Sequence, residues 1–275
     1  MGMKPMRRRL HHAYEYLALW FGLGMLGFLC LLWSPFSWFL YHLQPQSAGG
    51  RVGRYVNMAS FRFYLWTLSA CGAFRFDIRS LDALRGEGPV IIAPNHPSLL
   101  DALLVISRLP NVVCIMKGGL MNNVFLRSGA RLARYIDNDS LLDMIRKSVD
   151  ALHQGNHLLL FPEGTRTVRE PVNRCTAAVG LIAHRAKMPV QTVFIESDSK
   201  YLCKGWPLFK RPSMPITFRV RLGKRYDPPQ DVRAFTGELE QYFAGELAAG
   251  ALAREAQIKP SRLKPAVSPN LANRA

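Results

Sequence analysis

Between Tyr16 and Gly50 the sequence has no Asp, Glu, Lys or Arg. A soluble nucleic-acid binder has no use for such a stretch, whereas a bilayer does. Acidic residues are also scarce overall: 19 Asp plus Glu stand against 36 Lys plus Arg, a net charge of +17, which points to a polyanionic partner. No nucleic-acid-binding module stands behind that charge, so anionic lipid is favoured over nucleic acid. Only five cysteines occur, at Cys30, Cys71, Cys114, Cys175 and Cys203. They are scattered, which excludes a disulfide scaffold and a zinc or redox pair and fits a reducing compartment. No internal repeat is visible, which argues against a solenoid or propeller. No Gly-x-Ser-x-Gly elbow occurs, which argues against a serine hydrolase. What the chain does have is 275 residues, 49% of them apolar, enough for a sizeable core.

Leu17 to Trp33 is almost purely apolar, and Phe36, Trp38, Phe39 and Leu40 follow Ser34-Pro35. The run is long for the apolar region of a signal peptide, and no clean small-x-small cleavage site precedes Gln44, so the segment reads as retained. Lys4, Arg7, Arg8 and Arg9 lie before it, and Arg51, Arg54 and Arg62 after it. The positive-inside rule places both flanks in the cytoplasm. Pro35 can break a helix mid-segment. The expectation is a re-entrant or interfacial helical hairpin broken at Pro35, with Trp20, Trp33, Trp38 and Tyr41 as interfacial anchors. A single span and a buried core helix are the alternatives.

A second amphipathic stretch runs from about 52 to 74, and then short β-branched runs alternate with helical periodicity. Strands are expected at 90–93, 112–116, 157–161, 190–195 and 216–222. Helices are expected at 97–107 (with Pro97 in the first turn), 120–134, 140–154, 176–187 and 231–255. This alternation implies an α/β fold with a mostly parallel central sheet flanked by helices. Three regions follow: an N-terminal membrane-associated helical segment at 1–75, an α/β domain at 76–257, and a basic, Pro-rich tail at 258–275.

Two short segments carry the chemistry. Asn95-His96-Pro97-Ser98-Leu99-Leu100-Asp101 follows a strand and opens a helix. With Pro97 at the first helical position, His96 sits near the N-cap, where its ring can fold towards Asp101. A carboxylate on one ring nitrogen fixes the tautomer and leaves the other free to take a proton. The alternative is a capping His-Pro beside an unrelated helical Asp. Phe161-Pro162-Glu163-Gly164-Thr165-Arg166 also follows a strand. Gly164 permits close backbone approach, Arg166 offers a fork for phosphate, and Glu163 can orient Arg166 or a hydroxyl. The alternative is a surface turn with an ion pair. Ligands of open α/β sheets sit at the carboxyl ends of strands, where both segments lie.

Taken together, the two segments resemble the glycerolipid acyltransferases of the 1-acylglycerol-3-phosphate O-acyltransferase type. Asn95 to Asp101 matches that family's first motif, an Asn-His separated by four residues from an Asp. Phe161 to Arg166 matches its third motif in full. Degraded forms of the second and fourth motifs fall at Tyr135-Ile136-Asp137-Asn138-Asp139 and Met188-Pro189-Val190. The resemblance spans about 90–195.

It implies that 76–257 is an acyltransferase domain with His96 as general base and Asp101 orienting it. The acceptor hydroxyl would attack the thioester of acyl-CoA or acyl-carrier protein directly, with no covalent acyl-enzyme, no metal and no further cofactor. The tetrahedral oxyanion would need donors near these turns. Glu163, Gly164, Thr165 and Arg166, with Asn95 and Ser98, would form the acceptor site. The other histidines match no motif. Asn138 stands where the family's second motif carries an Arg, for which Arg131 or Arg134 could substitute. Gln191, Thr192 and Val193 stand where the fourth motif has a second proline. Lysophosphatidate is the default acceptor, with another lysolipid as the alternative. The implied partners are anionic membrane lipids and the acyl donor, and the implied place is the cytoplasmic membrane with the domain facing the cytosol. Acyltransferases of lipid A assembly share the first motif but not the intact third one. A non-catalytic basic membrane-binding module would leave both motifs as coincidence.

Overall fold

The computed structural model describes residues 5–43, 46–121 and 123–258. The basic tail expected at 258–275 lies outside the described residues except for Ile258, which ends the last helix.

Two helices come first, α1 (Pro5–Leu43) and α2 (Gln46–Ala70). Helix α1 runs through Pro35 without ending, so the expected break is corrected: the helix continues to Leu43. The missing proline N–H removes one hydrogen bond of a 39-residue helix, and the turns on either side keep theirs. The two helices pack antiparallel: the Tyr14 hydroxyl donates to the Cys71 carbonyl at 2.7 Å, and a Cβ on Gly22 would meet Leu68 at 3.1 Å. By length and composition α1 can cross a membrane, and only 17% of its most apolar window is buried. Leu17, Trp20, Phe21, Phe28 and Phe36 are among its exposed side chains.

The chain then enters a seven-stranded sheet of order β1-β7-β6-β2-β5-β3-β4. Its strands are β1 (Phe74–Asp77), β2 (Ile91–Pro94), β3 (Val112–Met116), β4 (Ile136–Asp137), β5 (His157–Leu159), β6 (Val190–Ser197) and β7 (Ile216–Tyr226). All pairings are parallel except β6 with β7. Side chains alternate between faces, as strand geometry requires. Ile92, Cys114, Leu159 and Val193 pack on the face that carries α1, α2 and α3 (Asp101–Ile106). Ile91, Val113, Leu158 and Phe194 pack under α6 (Leu141–His153), α7 (Ala178–Ala186) and α8 (Val232–Ile258). Burial on both faces explains why the central strands read as unbroken apolar runs.

Two expected helices differ. The one expected at 97–107 begins at Asp101, because 97–100 form a turn closed by side chains. The one expected at 120–134 is two short pieces, α4 (Gly118–Met121) and α5 (Arg127–Leu132), parted by a turn in which Asn123 Oδ1 accepts from Phe125 N at 2.9 Å. Helix α5 lies against α2 at Gly53, where a Cβ would sit 2.7 Å from the main-chain atoms Ala133 N and Leu132 C. Backbone cannot yield as a flexible side chain can. Gly53→Ala is therefore expected to cost about 1–3 kcal/mol, an overpacking penalty, read as a lower thermal midpoint in detergent.

Candidate active site

Strands β2 and β5 are parallel neighbours, so the turns that leave their carboxyl ends lie side by side. The first turn carries His96 and the second carries Glu163.

His96 Nδ1 lies 2.8 Å from Asp101 Oδ2. The same carboxylate oxygen accepts from Ser98 N at 2.7 Å, which is why the chain turns there before the helix can start. His96 is thus in the turn, five residues before Asp101, and not at a helix N-cap; Leu100 takes that place. Asp101 is fully buried, and its Oδ1 has no partner among the described residues. Burial pushes its carboxyl up to about 6, against the opposing pull of the His96 hydrogen bond. The imidazole stacks on Phe161, with centroids 3.9 Å apart and planes 19° apart. Its Nε2 makes no hydrogen bond among the described residues, and the side chain is 16% exposed. One nitrogen is therefore held by an acid and the other faces outward.

Glu163 is buried, and its oxygens face inward. Oε1 accepts from His96 N at 2.9 Å and from the Thr167 hydroxyl at 2.8 Å; Oε2 accepts from Asn173 N at 2.9 Å. Thr167 N donates back to His96 O at 2.7 Å. The carboxylate therefore buckles the two turns together. Gly164 is exposed with φ +65, a left-handed value that glycine adopts without strain. Thr165 is half-buried. Arg166 is half-buried, and its Nη1 donates to the carbonyls of Leu202 at 2.9 Å and Cys203 at 3.0 Å.

Asn95 and Ser98 are buried. The Asn95 amide donates to Ile195 O at 2.9 Å and accepts from Ile195 N at 2.7 Å, which clips the end of β2 to β6. Ser98 Oγ donates to Tyr201 O at 3.1 Å. Both act on the shape of the turn. Arg134 stacks over Tyr41 of α1, 4.9 Å from the ring centroid, and Arg131 is exposed on α5. Pro189 of the fourth motif accepts Ile91 N through its carbonyl at 3.0 Å, and Gln191 ties β6 to Gly223 O at 2.7 Å. Sequence reasoning missed the bracing by Thr167, Asn173 and 201–203, since none of these has a motif-like spacing.

The sheet thus sets a His–Asp pair after one strand beside a Glu-braced Gly-x-Arg turn after its neighbour. Residues 75–196 of the chain match the Acyltransferase family. It is similar to the 1-acyl-sn-glycerol-3-phosphate acyltransferase of Pseudomonas aeruginosa, with 22% identity over 205 residues, covering 72% of this chain and 76% of that protein. Among solved structures it shares the fold of the 1-acyl-sn-glycerophosphate (LPA) acyltransferase PlsC from Thermotoga maritima, with a TM-score of 0.59 at 17% identity, covering 90% of this chain and 97% of that one.

Proposed function

We propose that the chain transfers a fatty acyl group from acyl-CoA or acyl-carrier protein to the free hydroxyl of 1-acylglycerol-3-phosphate, at the cytosolic surface of the cytoplasmic membrane. The observation that carries this reading is the imidazole of His96, held by Asp101 at 2.8 Å on one side and unpartnered on the other. The acceptor hydroxyl gives its proton to Nε2 as its oxygen attacks the thioester carbonyl. Asp101 supports the imidazolium that forms. The tetrahedral oxyanion then collapses, the carbon–sulfur bond breaks, and the thiolate takes the proton back from Nε2. The ester and the free thiol are the products, and neither an acyl-enzyme nor a metal is required by this scheme.

Arg166 supports a phosphate-bearing acceptor. Its Nη1 is held by carbonyls, while Nε and Nη2, with no partners among the described residues, are left to present to an anion. The exposed apolar face of α1 supports contact with anionic lipid, with the +17 net charge adding attraction.

The test is transfer of a labelled acyl chain by purified protein in lipid, offering both donors against a panel of lysolipids. His96→Ala is expected to lose at least ~10²-fold in rate. Retained activity in that variant would remove His96 from its role. Transfer to a different lysolipid alone would replace the acceptor named here.

A further inference from the structure

The segment 198–215, between β6 and β7, touches both ends of the molecule. Its residues 201–203 hold the site: the Tyr201 carbonyl accepts from Ser98 Oγ at 3.1 Å, and the Leu202 carbonyl accepts from Leu99 N at 3.1 Å and from Arg166 Nη1 at 2.9 Å. Leu202 has φ 57, rare for a branched side chain, so this carbonyl direction is imposed by the surroundings. The far end of the segment is fastened to α1. Glu15 is 1% exposed, its Oε2 pairs with Arg211 Nη1, and its Oε1 accepts from Met214 N at 3.0 Å. Beside this pair, Phe209 stacks on Trp20 at 5.0 Å and Arg211 lies over the Tyr16 ring at 5.5 Å. His11 Nε2 stands 3.2 Å from Glu15 Oε1.

A buried ion pair is a poor stabiliser, since desolvation offsets its attraction, but it fixes geometry that apolar packing leaves free to slide. Glu15 is the last charged residue before the uncharged run. We propose that Glu15 is a positioning residue for acyl transfer: through Arg211 and Met214 it fastens 198–215 to α1, and that segment in turn sets Arg166 and the His96 turn. The kinetic part of this inference rests on the acyl-transfer reading above; the structural part does not.

The test compares the full-length wild type with Glu15→Gln in lipid, first by amide hydrogen exchange. Peptides covering Leu99 and 201–206 are expected to exchange roughly tenfold faster or more, with those of β2 and β3 unchanged. Unchanged exchange at Leu99 and 201–206, or an equal rise in β3, overturns the proposal. If Glu15→Gln does not fold, Arg211→Lys, which keeps the charge and loses the fork, is read by the same criteria. In the kinetic arm, KM for 1-acylglycerol-3-phosphate should rise roughly tenfold, KM for the donor should stay within about twofold, and Arg166→Met should add little in the Glu15→Gln background. Additive effects of the two substitutions overturn the coupling. If the wild type transfers to no lysolipid, the acyl-transfer reading fails and the exchange result alone decides the tether.

Discussion

Asp101→Asn is expected to make the protein more stable and nearly inactive. Asp101 is buried with one oxygen unpartnered, and its carboxyl is raised to about 6. A carboxyl whose folded value lies above its unfolded one holds its proton more tightly in the native state. Its contribution to stability is fully present below the unfolded value, near 4, and is lost as pH rises through about 6. Ionisation at neutral pH therefore costs on the order of 1–3 kcal/mol, which an amide avoids. In the proposed reaction the same ionised form is the one that holds His96 as a base. In the wild type, kcat/KM should fall as pH drops through about 6, because protonated Asp101 no longer supports the imidazolium. In Asp101→Asn the rate should drop ~10²–10⁴-fold across the whole range while the thermal midpoint at pH 7 rises. A lower midpoint together with full activity would refute both halves.

The second large effect is expected at Glu163, and it separates two roles. A residue that binds the acceptor head group should, when changed, raise KM for the acceptor. In the structure three donors converge on the Glu163 carboxylate: His96 N, Thr167 Oγ1 and Asn173 N. A Gln there places an NH₂ against at least one of these donors, at a cost of about 1–3 kcal/mol for each donor left unpaired. Because the side chain that loses a donor is the one that holds the main-chain N–H of His96, its displacement carries the proposed base with it. Glu163→Gln is therefore expected to lower kcat by about 10²-fold, since misplacement near 1 Å costs that much, with KM for the acceptor little changed. A raised KM at unchanged kcat would return Glu163 to the acceptor site.

Much of this fold can be read in the sequence where burial is two-sided. The apolar runs at 112–116 and 190–195 fall on β3 and β6, and the periodicity at 140–154 falls on α6, where the Ser140 side chain accepts from Asp143 N. The two motif turns stand at adjacent strand ends. Features set by side chain–backbone bonds were not legible. The late start of α3 follows from Asp101 accepting Ser98 N, a bond that helix periodicity does not record. Strands β1 and β4 have four and two residues, too short to show an alternation. The inward-facing roles of Asn95, Ser98 and Glu163 depend on Ile195, Tyr201 and Asn173, which lie far along the chain or carry no pattern. Pro35 marks a break by local rules, yet it sits inside a helix long enough to continue on both sides.

The pairing of Glu15 with Arg211 also orders events during synthesis. The partners are 196 residues apart in sequence. At about 5–20 residues per second, the glutamate leaves the ribosome roughly 10–40 s before its arginine does. During that interval the acid at the edge of the apolar run has only His11 and His12 of its own helix beside it. Strand β1, which follows the helical hairpin, likewise waits for β7, its sheet partner, to be made. The first helix and β1 can therefore close onto the rest of the fold only after Arg211 and β7 have been translated.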